Sequence, residues 1–523
     1  APVLSSSNNM YLMKINHIKG LACMSLALAL ASCTSGFEDI NRPGGKLDKE
    51  SLGRENYNIS SFLIQLENVS FPEQENDYQM NFDLIGNYLG RFFTYANDGF
   101  TSKNYARLNA KAGWISAAFG PLTKAKSAFA EIEGLAKPEE LNYNWALILR
   151  AHAFLMLTDK FGPMPFGLDP KNPSAYNSQE QIYKQLIADL TVAARNLKAF
   201  ALANPSARVN EAADKIYGGD FSKWYRLANS LKLRMAVRMR YAAPALAKQY
   251  AEEAVADGVI ESAADNLYMS YTPRGLYKTS VEWGDSRAAA DIDSYMNGYN
   301  DPRISKYFAA PAEGAKRTLQ GCLAAAEITS KNKADAIYSA AVASPNSRDP
   351  WLTAAEMWFC RAEGALAGWT GMGATVQEAY ERGVKESFAQ WGVDGAVSYL
   401  QSERQPAAYT DAVGGFGRDM SAVSTITPKW DSSASTEEQL ERIITQKWIA
   451  LYPNGQEAWS EIRRTGYPKV FDLPVDTGTG LQVPNRIPYD PNEQTRNAAA
   501  YRAGVALLGG PDDYTTRLWW QKK

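Results

Sequence analysis

The sequence predicts an all-α protein, with tetratricopeptide-like helix pairs in a right-handed superhelical stack and long irregular loop insertions. Three observations carry that expectation. From Leu141 to Met156 the apolar residues Leu141, Trp145, Ile148, Leu149, Leu155 and Met156, together with His152, recur at three- and four-residue spacing, which marks one face of a helix. Trp351, Ala355, Trp358, Ala362, Ala365, Leu366 and Trp369 form a second stripe; Thr370-Gly371-Met372-Gly373 breaks it, and Ala379, Tyr380, Val384, Phe388 and Trp391 resume the period. Helix, short turn and helix within about 40 residues, with small residues where the helices cross, resembles a degenerate tetratricopeptide unit. Finally, Val259 to Ser347 (rich in Tyr, Gly, Asp and Asn) and Tyr399 to Ser435 (rich in Ser, Thr and Gly) lack the period and read as the functional insertions.

The N-terminus reads as an address. Lys14 and Lys19 precede an apolar run from Leu21 to Ala31, too short to span a bilayer but suited to a signal-peptide core. Leu30-Ala31-Ser32-Cys33 then resembles the lipobox of bacterial lipoproteins, in which small residues fit the peptidase and the Cys thiol takes the lipid. Residues 1–32 are therefore expected to be signal peptide, with Ala1 to Leu12 as upstream read-through before a start at Met13, and Cys33 is the expected lipidation site. Residues 33–45 carry turn residues without periodicity and read as a lipidated tether; residues 46–523 form the body. Glu38 and Asp39 form an acidic pair of the kind found in surface-export signals. Cys23 leaves with the signal, so Cys322 and Cys360 remain, either as two buried thiols or, in an exported protein, as a disulfide.

Within the body, Gly162 and Pro163 stop the first helix, and His152 within its stripe reads as a hydrogen-bonded core histidine. Further pairs span Trp114 to Met156 and Trp224 to Val255. A pair buries its apolar face only against neighbouring pairs, so the units must stack. Asp220 is a plausible N-cap of a basic amphipathic helix carrying Lys223, Arg226, Lys232, Arg234, Arg238 and Arg240. That face suits solvent or acidic partners better than nucleic acid, because the 523 residues balance 55 basic against 57 acidic side chains, for a net charge of −2. Only two His occur, His17 and His152, which excludes a His-rich metal site or a mechanism built on several imidazoles.

Several segments carry a family resemblance when read in order. They are Asp159 to Phe166 (DKFGPMPF), Tyr217 to Arg234 (YGGDFSKWYRLANSLKLR), Asp301 to Phe308 (DPRISKYF), Ala355 to Glu363 (AEMWFCRAE), Gln446 to Tyr452 (QKWIALY), Glu457 to Pro468 (EAWSEIRRTGYP) and Arg517 to Trp520 (RLWW). With the lipobox, their joint order resembles the SusD/RagB family of nutrient-binding outer-membrane lipoproteins, across essentially the whole mature chain. The resemblance implies a SusD-like helical fold, a lipid anchor at the cell surface of the outer membrane, and a SusC-like TonB-dependent transporter on which the protein sits as a lid. No cofactor is expected and no recognisable catalytic constellation points to an enzyme; calcium could brace an Asp/Asn-rich loop, but no EF-hand-like spacing is present. The segments themselves have structural readings: Pro302 suits the first turn of a helix, Asn454-Gly455 a helix-joining turn, and Trp459 with Arg463 one helical face.

Ligand contact is expected instead in the insertions. Tyr271, Tyr277, Trp283, Tyr295 and Tyr299 interleave there with Asp285 and Arg287. A sugar presents an apolar C–H face and a rim of hydroxyls, so binding it needs an aromatic platform flanked by carboxylate, amide or guanidinium groups. Trp283-Gly284-Asp285-Ser286-Arg287 offers all of these in one turn-like segment. An earlier cluster, Tyr88, Phe92, Phe93, Tyr95, Phe100 and Tyr105, has Tyr88, Phe92 and Tyr95 at helical spacing and reads as core, with the others bordering a pocket. The function expected is capture of an oligosaccharide or polysaccharide and its delivery to the transporter. Three alternatives stay open: a peptide-binding member of the same family, an exported helical-toroid glycoside hydrolase or lyase using Asp285 with Asp291 or Asp293 as its carboxylate pair, and a structural scaffold that uses helical repeats to hold proteins. No nucleophile elbow, phosphate loop or zinc pattern supports other chemistry.

Overall fold

The computed structural model describes residues 57–72, 74–268, 275–312 and 317–523. The signal segment, Cys33, the tether and Tyr271 lie outside the described residues. The longer helices are α1 (Tyr57–Ser70), α2 (Ala112–Phe119), α3 (Pro121–Leu135), α4 (Leu141–Phe161), α5 (Gln179–Ala203), α6 (Phe221–Arg238) and α7 (Pro244–Asp257), followed by α8 (Ala290–Tyr299), α9 (Lys331–Ile337), α10 (Ala354–Leu366), α11 (Val376–Gln390), α12 (Thr436–Ala450), α13 (Gly455–Thr465) and α14 (Ala498–Leu508). From α3 to α7 each helix packs on the next; α10 packs on α11 and α12, and α6 closes against α10. The stack of helix pairs read from the periodicity is present, and the described residues from Ile59 onward share one hydrophobic core.

Local chemistry sets the helix ends. Ser178 opens α5 with a reciprocal cap: its Oγ accepts from the Gln181 N–H at 3.2 Å, and Gln181 Oε1 accepts from the Ser178 N–H at 2.9 Å. Thr375 and Glu378 do the same for α11. Asp220 caps α6 as expected, accepting from the Ser222 N–H at 3.0 Å. Gly162 ends α4 at φ +89°, a backbone conformation that residues with a Cβ rarely adopt.

Several expectations need correction. Tyr95 is not on a helix: Gln79–Asn87 is a π-helical segment, and Phe93–Tyr95 is a strand (β1). Its partner is Ser286–Ala288 (β3), while Leu267–Tyr268 (β2) pairs antiparallel with Pro350–Leu352 (β4). Trp351 therefore sits on β4, not on the α10 stripe. Trp358 is half-buried against the edge of the core, its ring held between the Arg361 and Arg382 guanidiniums at 3.9 and 5.2 Å. Pro302 precedes the short helix Ile304–Tyr307 inside a turn that Asp301 closes by accepting from Arg303 N–H at 2.9 Å. Cys322 and Cys360 are both free and buried.

The basic face of α6 is acid-paired. Arg234 makes a bidentate pair with Glu356 at 2.6 and 2.7 Å, and Arg238 pairs with Glu457. Arg464 holds both oxygens of Glu363 at 2.7 Å and Glu461 at 2.5 Å. All seven side chains are buried, so α6, α10 and α13 are joined through an interior charge network.

His152 lies in the core beside Phe71, with ring centroids 4.8 Å apart, but neither ring nitrogen finds a hydrogen-bond partner. The expected hydrogen bond is therefore absent. Burial, and secondarily the Arg234 charge, pushes its pKa down to about 3. In the unfolded chain the imidazole titrates near ~6.5, so the unfolded state gains protons first and stability falls as pH drops from about 6.5 towards 3, by up to ~1.4 kcal/mol per unit. His152→Phe is expected to flatten that slope, read by urea denaturation at pH 7, 6 and 5; an unchanged slope would assign the acid lability elsewhere.

Candidate ligand-binding rim

The β1–β3 ribbon builds the site's frame. Its register, Phe93↔Ala288 through Tyr95↔Ser286, brings the residues after Tyr95 beside those before Ser286. The Ala96 N–H donates to the Asp285 carbonyl at 2.7 Å. Asn97 Nδ2 and Gln79 Nε2 donate to the two Asp285 carboxylate oxygens at 2.9 Å each. Asp285 is thus a buried bracket between the Asn97 loop and the π-helical segment. Arg287 is 7% exposed; its Nη1 donates to the carbonyls of Ser280 and Ser286, and its Nη2 lies 3.4 Å from Asp335. Burial lowers its pKa against the opposing pull of Asp335 and Asp285.

Trp283 stands on this frame at the surface. The π-helical segment Tyr277–Glu282 ends immediately before it, and Gly284 turns the chain into β3 at φ +69°. A Cβ on Gly284 would collide with the Asp335 carboxylate. Lys331, on α9, pairs with Asp335 at 2.9 Å and donates to the Trp283 carbonyl, so α9 clamps the turn from below. The indole is partly exposed, with the Lys278 ammonium 6.0 Å from its ring. Among the described residues it is the one tryptophan neither in the core nor packed against it. Tyr277, half-buried, lies one and a half turns earlier in the same segment. Gly284→Ala combines a strained φ with the Asp335 collision and is expected to cost about 1–3 kcal/mol, read by chemical denaturation. An unchanged midpoint would show that the turn relaxes freely.

Two expected contacts are not on this rim. Tyr295 and Tyr299 lie on the inner side of α8, 1% and 2% exposed, and donate their hydroxyls to the carbonyls of Lys469 and Ile426 at 2.8 and 2.9 Å. Their rings stack edge-on inside the core and offer no face to a ligand. The carboxylates considered as a hydrolytic pair are likewise committed. Asp291 pairs with Arg91 at 3.1 Å, and Asp293 accepts from Gly321 N–H at 2.7 Å and from Asn297 Nδ2 at 2.7 Å.

Asn97, Lys331 and Asp335 are rim members that the sequence did not single out, and Phe100, expected to border a pocket, lies beside them. Asn97 opens a short turn beside Asp285, and Phe100 in that turn packs edge-on to Trp114 at 5.1 Å, under the Lys111 ammonium. Lys331 and Asp335 join from α9. Asn97-Asp98-Gly99 carries a turn signal, but no spacing rule connects residue 335 to residue 284.

A family profile described as "SusD-like: Susd and RagB outer membrane lipoprotein" matches residues 39–521. The chain belongs to the SusD/RagB family. A SusD homolog from Bacteroides thetaiotaomicron is 32% identical, covers 90% of this chain and 100% of its own, and superposes with a TM-score of 0.82. A chitin-binding SusD homolog from Flavobacterium johnsoniae is 33% identical, with coverages of 88% and 98% and a TM-score of 0.83. A SusD homolog from Bacteroides uniformis is 34% identical, with coverages of 89% and 100% and a TM-score of 0.79. No curated protein matches the chain. As a SusD-family member the protein is an outer-membrane lipoprotein of mostly helical fold and a binding protein, not an enzyme. The segments that carried the resemblance are scaffold in this SusD-like chain: Arg463 stacks over Trp459 at 3.5 Å, Trp520 donates to Asp159 at 2.9 Å, and Asn454 caps α13.

Proposed function

We propose that this SusD-family protein captures an oligosaccharide or polysaccharide at the cell surface and passes it, covalently unchanged, to a SusC-like TonB-dependent transporter. In this reading residues 1–32 are removed, Cys33 carries the lipid, residues 33–45 tether the body, and the rim around Trp283 meets the glycan. The observation that carries it is Trp283 itself: a large, partly exposed aromatic surface outside the core, fixed by Gly284 and α9 beside a frame of amides and carboxylates. That is the chemistry a pyranose face and its hydroxyl edge require. The chitin-binding relative, a third identical over nearly its whole length, supports a glycan over a peptide. Affinity should be modest, because a cargo held too tightly would not be released.

The test is a screen of the purified protein against a polysaccharide panel and a peptide library. Binding to a glycan with no release of reducing ends supports the proposal. Binding to peptides alone, or accumulation of reducing ends, overturns it. Affinity purification from membranes tests the partner, with recovery of a TonB-dependent barrel as the expected result. Intact mass of the membrane form tests acylation at Cys33.

A further inference from the structure

The charged side chains that the structure describes next to Trp283 are already matched to one another. Lys278 lies 2.5 Å from Glu282 and 3.8 Å from Glu75. Lys331 lies 2.9 Å from Asp335, and Arg287 lies 3.4 Å from the same carboxylate. Asp285 is taken up by the Gln79 and Asn97 amides. Three cations thus stand against the four carboxylates Glu75, Glu282, Asp285 and Asp335. Farther along the rim, Lys111 donates to the Gly99 carbonyl at 3.1 Å and sits over Phe100 and Trp114, in a loop that also exposes Asp98.

We infer that the glycan taken by this rim is uncharged, a polymer of neutral hexose, pentose or N-acetylhexosamine units without carboxylate or sulfate groups. The inference rests on the glycan-capture reading and narrows it. Recognition of an acidic sugar uses an arginine or lysine free to form a charge-assisted, preferably bidentate, bond. Beside Trp283 such a ligand must draw Lys278 or Lys331 away from its own carboxylate and leave Glu282, or an Asp335 held by Arg287 alone, next to the incoming anion. The rim would then repel what it is meant to hold, and like-charge juxtaposition at an interface is a strong means of rejecting a ligand. A neutral sugar asks only for the indole face and for hydrogen bonds at the amide and carboxylate edges, with no ion pair broken.

The experiment measures the affinity of the full protein for neutral polysaccharides (chitin oligomers, β-glucan, galactan, mannan) and for acidic ones (polygalacturonate, hyaluronan, chondroitin sulfate). Each is measured at about 20 mM and about 500 mM NaCl, where the Debye length falls several-fold. The expected result is a neutral ligand preferred at least tenfold over every acidic one, with Kd changing less than twofold across the salt range. Glu282→Gln, at an exposed position, leaves the Lys278 ammonium beside Trp283 with only its 3.8 Å contact to Glu75 and should improve binding of acidic glycans severalfold at low salt. An acidic polysaccharide bound best by the unaltered protein, and weakened about tenfold by salt, overturns this inference while leaving glycan capture standing. Failure to bind any glycan of either kind overturns the capture reading itself.

Discussion

Arg464→Ala is expected to destabilise the protein by about 3–5 kcal/mol, the cost of leaving buried charges without their partner. Arg464 is fully buried and satisfies both oxygens of Glu363 and one of Glu461. Burial alone would push both carboxyls up, yet the surrounding cations, Arg464 foremost, hold both below the usual carboxylate range. Without the guanidinium, Glu363 keeps only Arg240 at 3.0 Å and Glu461 only Lys447 at 3.4 Å. The depressed carboxyls also fix the sign of the acid response: their contribution is complete above the unfolded carboxylate pKa and is lost as pH falls through the lower folded values. Denaturant titration followed by circular dichroism measures the loss. Lys184→Ala, which removes an exposed pair one helical turn long on α5, should change nothing measurable and serves as the control. A small effect for Arg464→Ala would mean that water enters the network and screens it.

Trp283→Ala should weaken glycan binding at least tenfold, about 1.4 kcal/mol or more, while shifting stability by no more than about 0.5 kcal/mol. The asymmetry follows from where the indole sits. Its ring takes no part in the core, so truncation opens no cavity there, whereas a stacked sugar loses its main contact area. Trp283→Phe keeps a smaller face and should recover part of the affinity. Titration calorimetry together with a thermal melt reads both quantities on one sample. Unchanged affinity with an unchanged melt would remove Trp283 from the site and move the search to the Phe100–Trp114 surface.

The helical stack was legible because its signal is long. The α10–α11 stripe repeats over several turns, and chance does not sustain such a period. The ribbons were not, since a strand of three residues such as Phe93–Tyr95 has no room to show alternation, and it was absorbed into the helical spacing of its neighbours. At the site, Trp283 was readable as an aromatic in a turn beside Gly284. Tyr295 and Tyr299 were misplaced because the whole insertion was treated as irregular, although they stand four residues apart and so share one face of a helix. Burial of that face depends on α12 and the Lys469 loop, which come from far along the chain. Asp285 and Arg287 show the same limit from the other side: residue type announced polar chemistry, but not that the protein would spend it on holding itself together.

The interior charge network has a consequence for how the chain is made. Arg238 emerges on the sixth helix, and its counter-ion Glu457 follows 219 residues later. Until that carboxylate is synthesised, closing the early helices would bury Arg238 with only the Asp159 carboxylate, 3.9 Å away, and without its nearer counter-ion, at a cost of several kcal/mol. Shortening the chain from its far end should therefore loosen the beginning as well as the end.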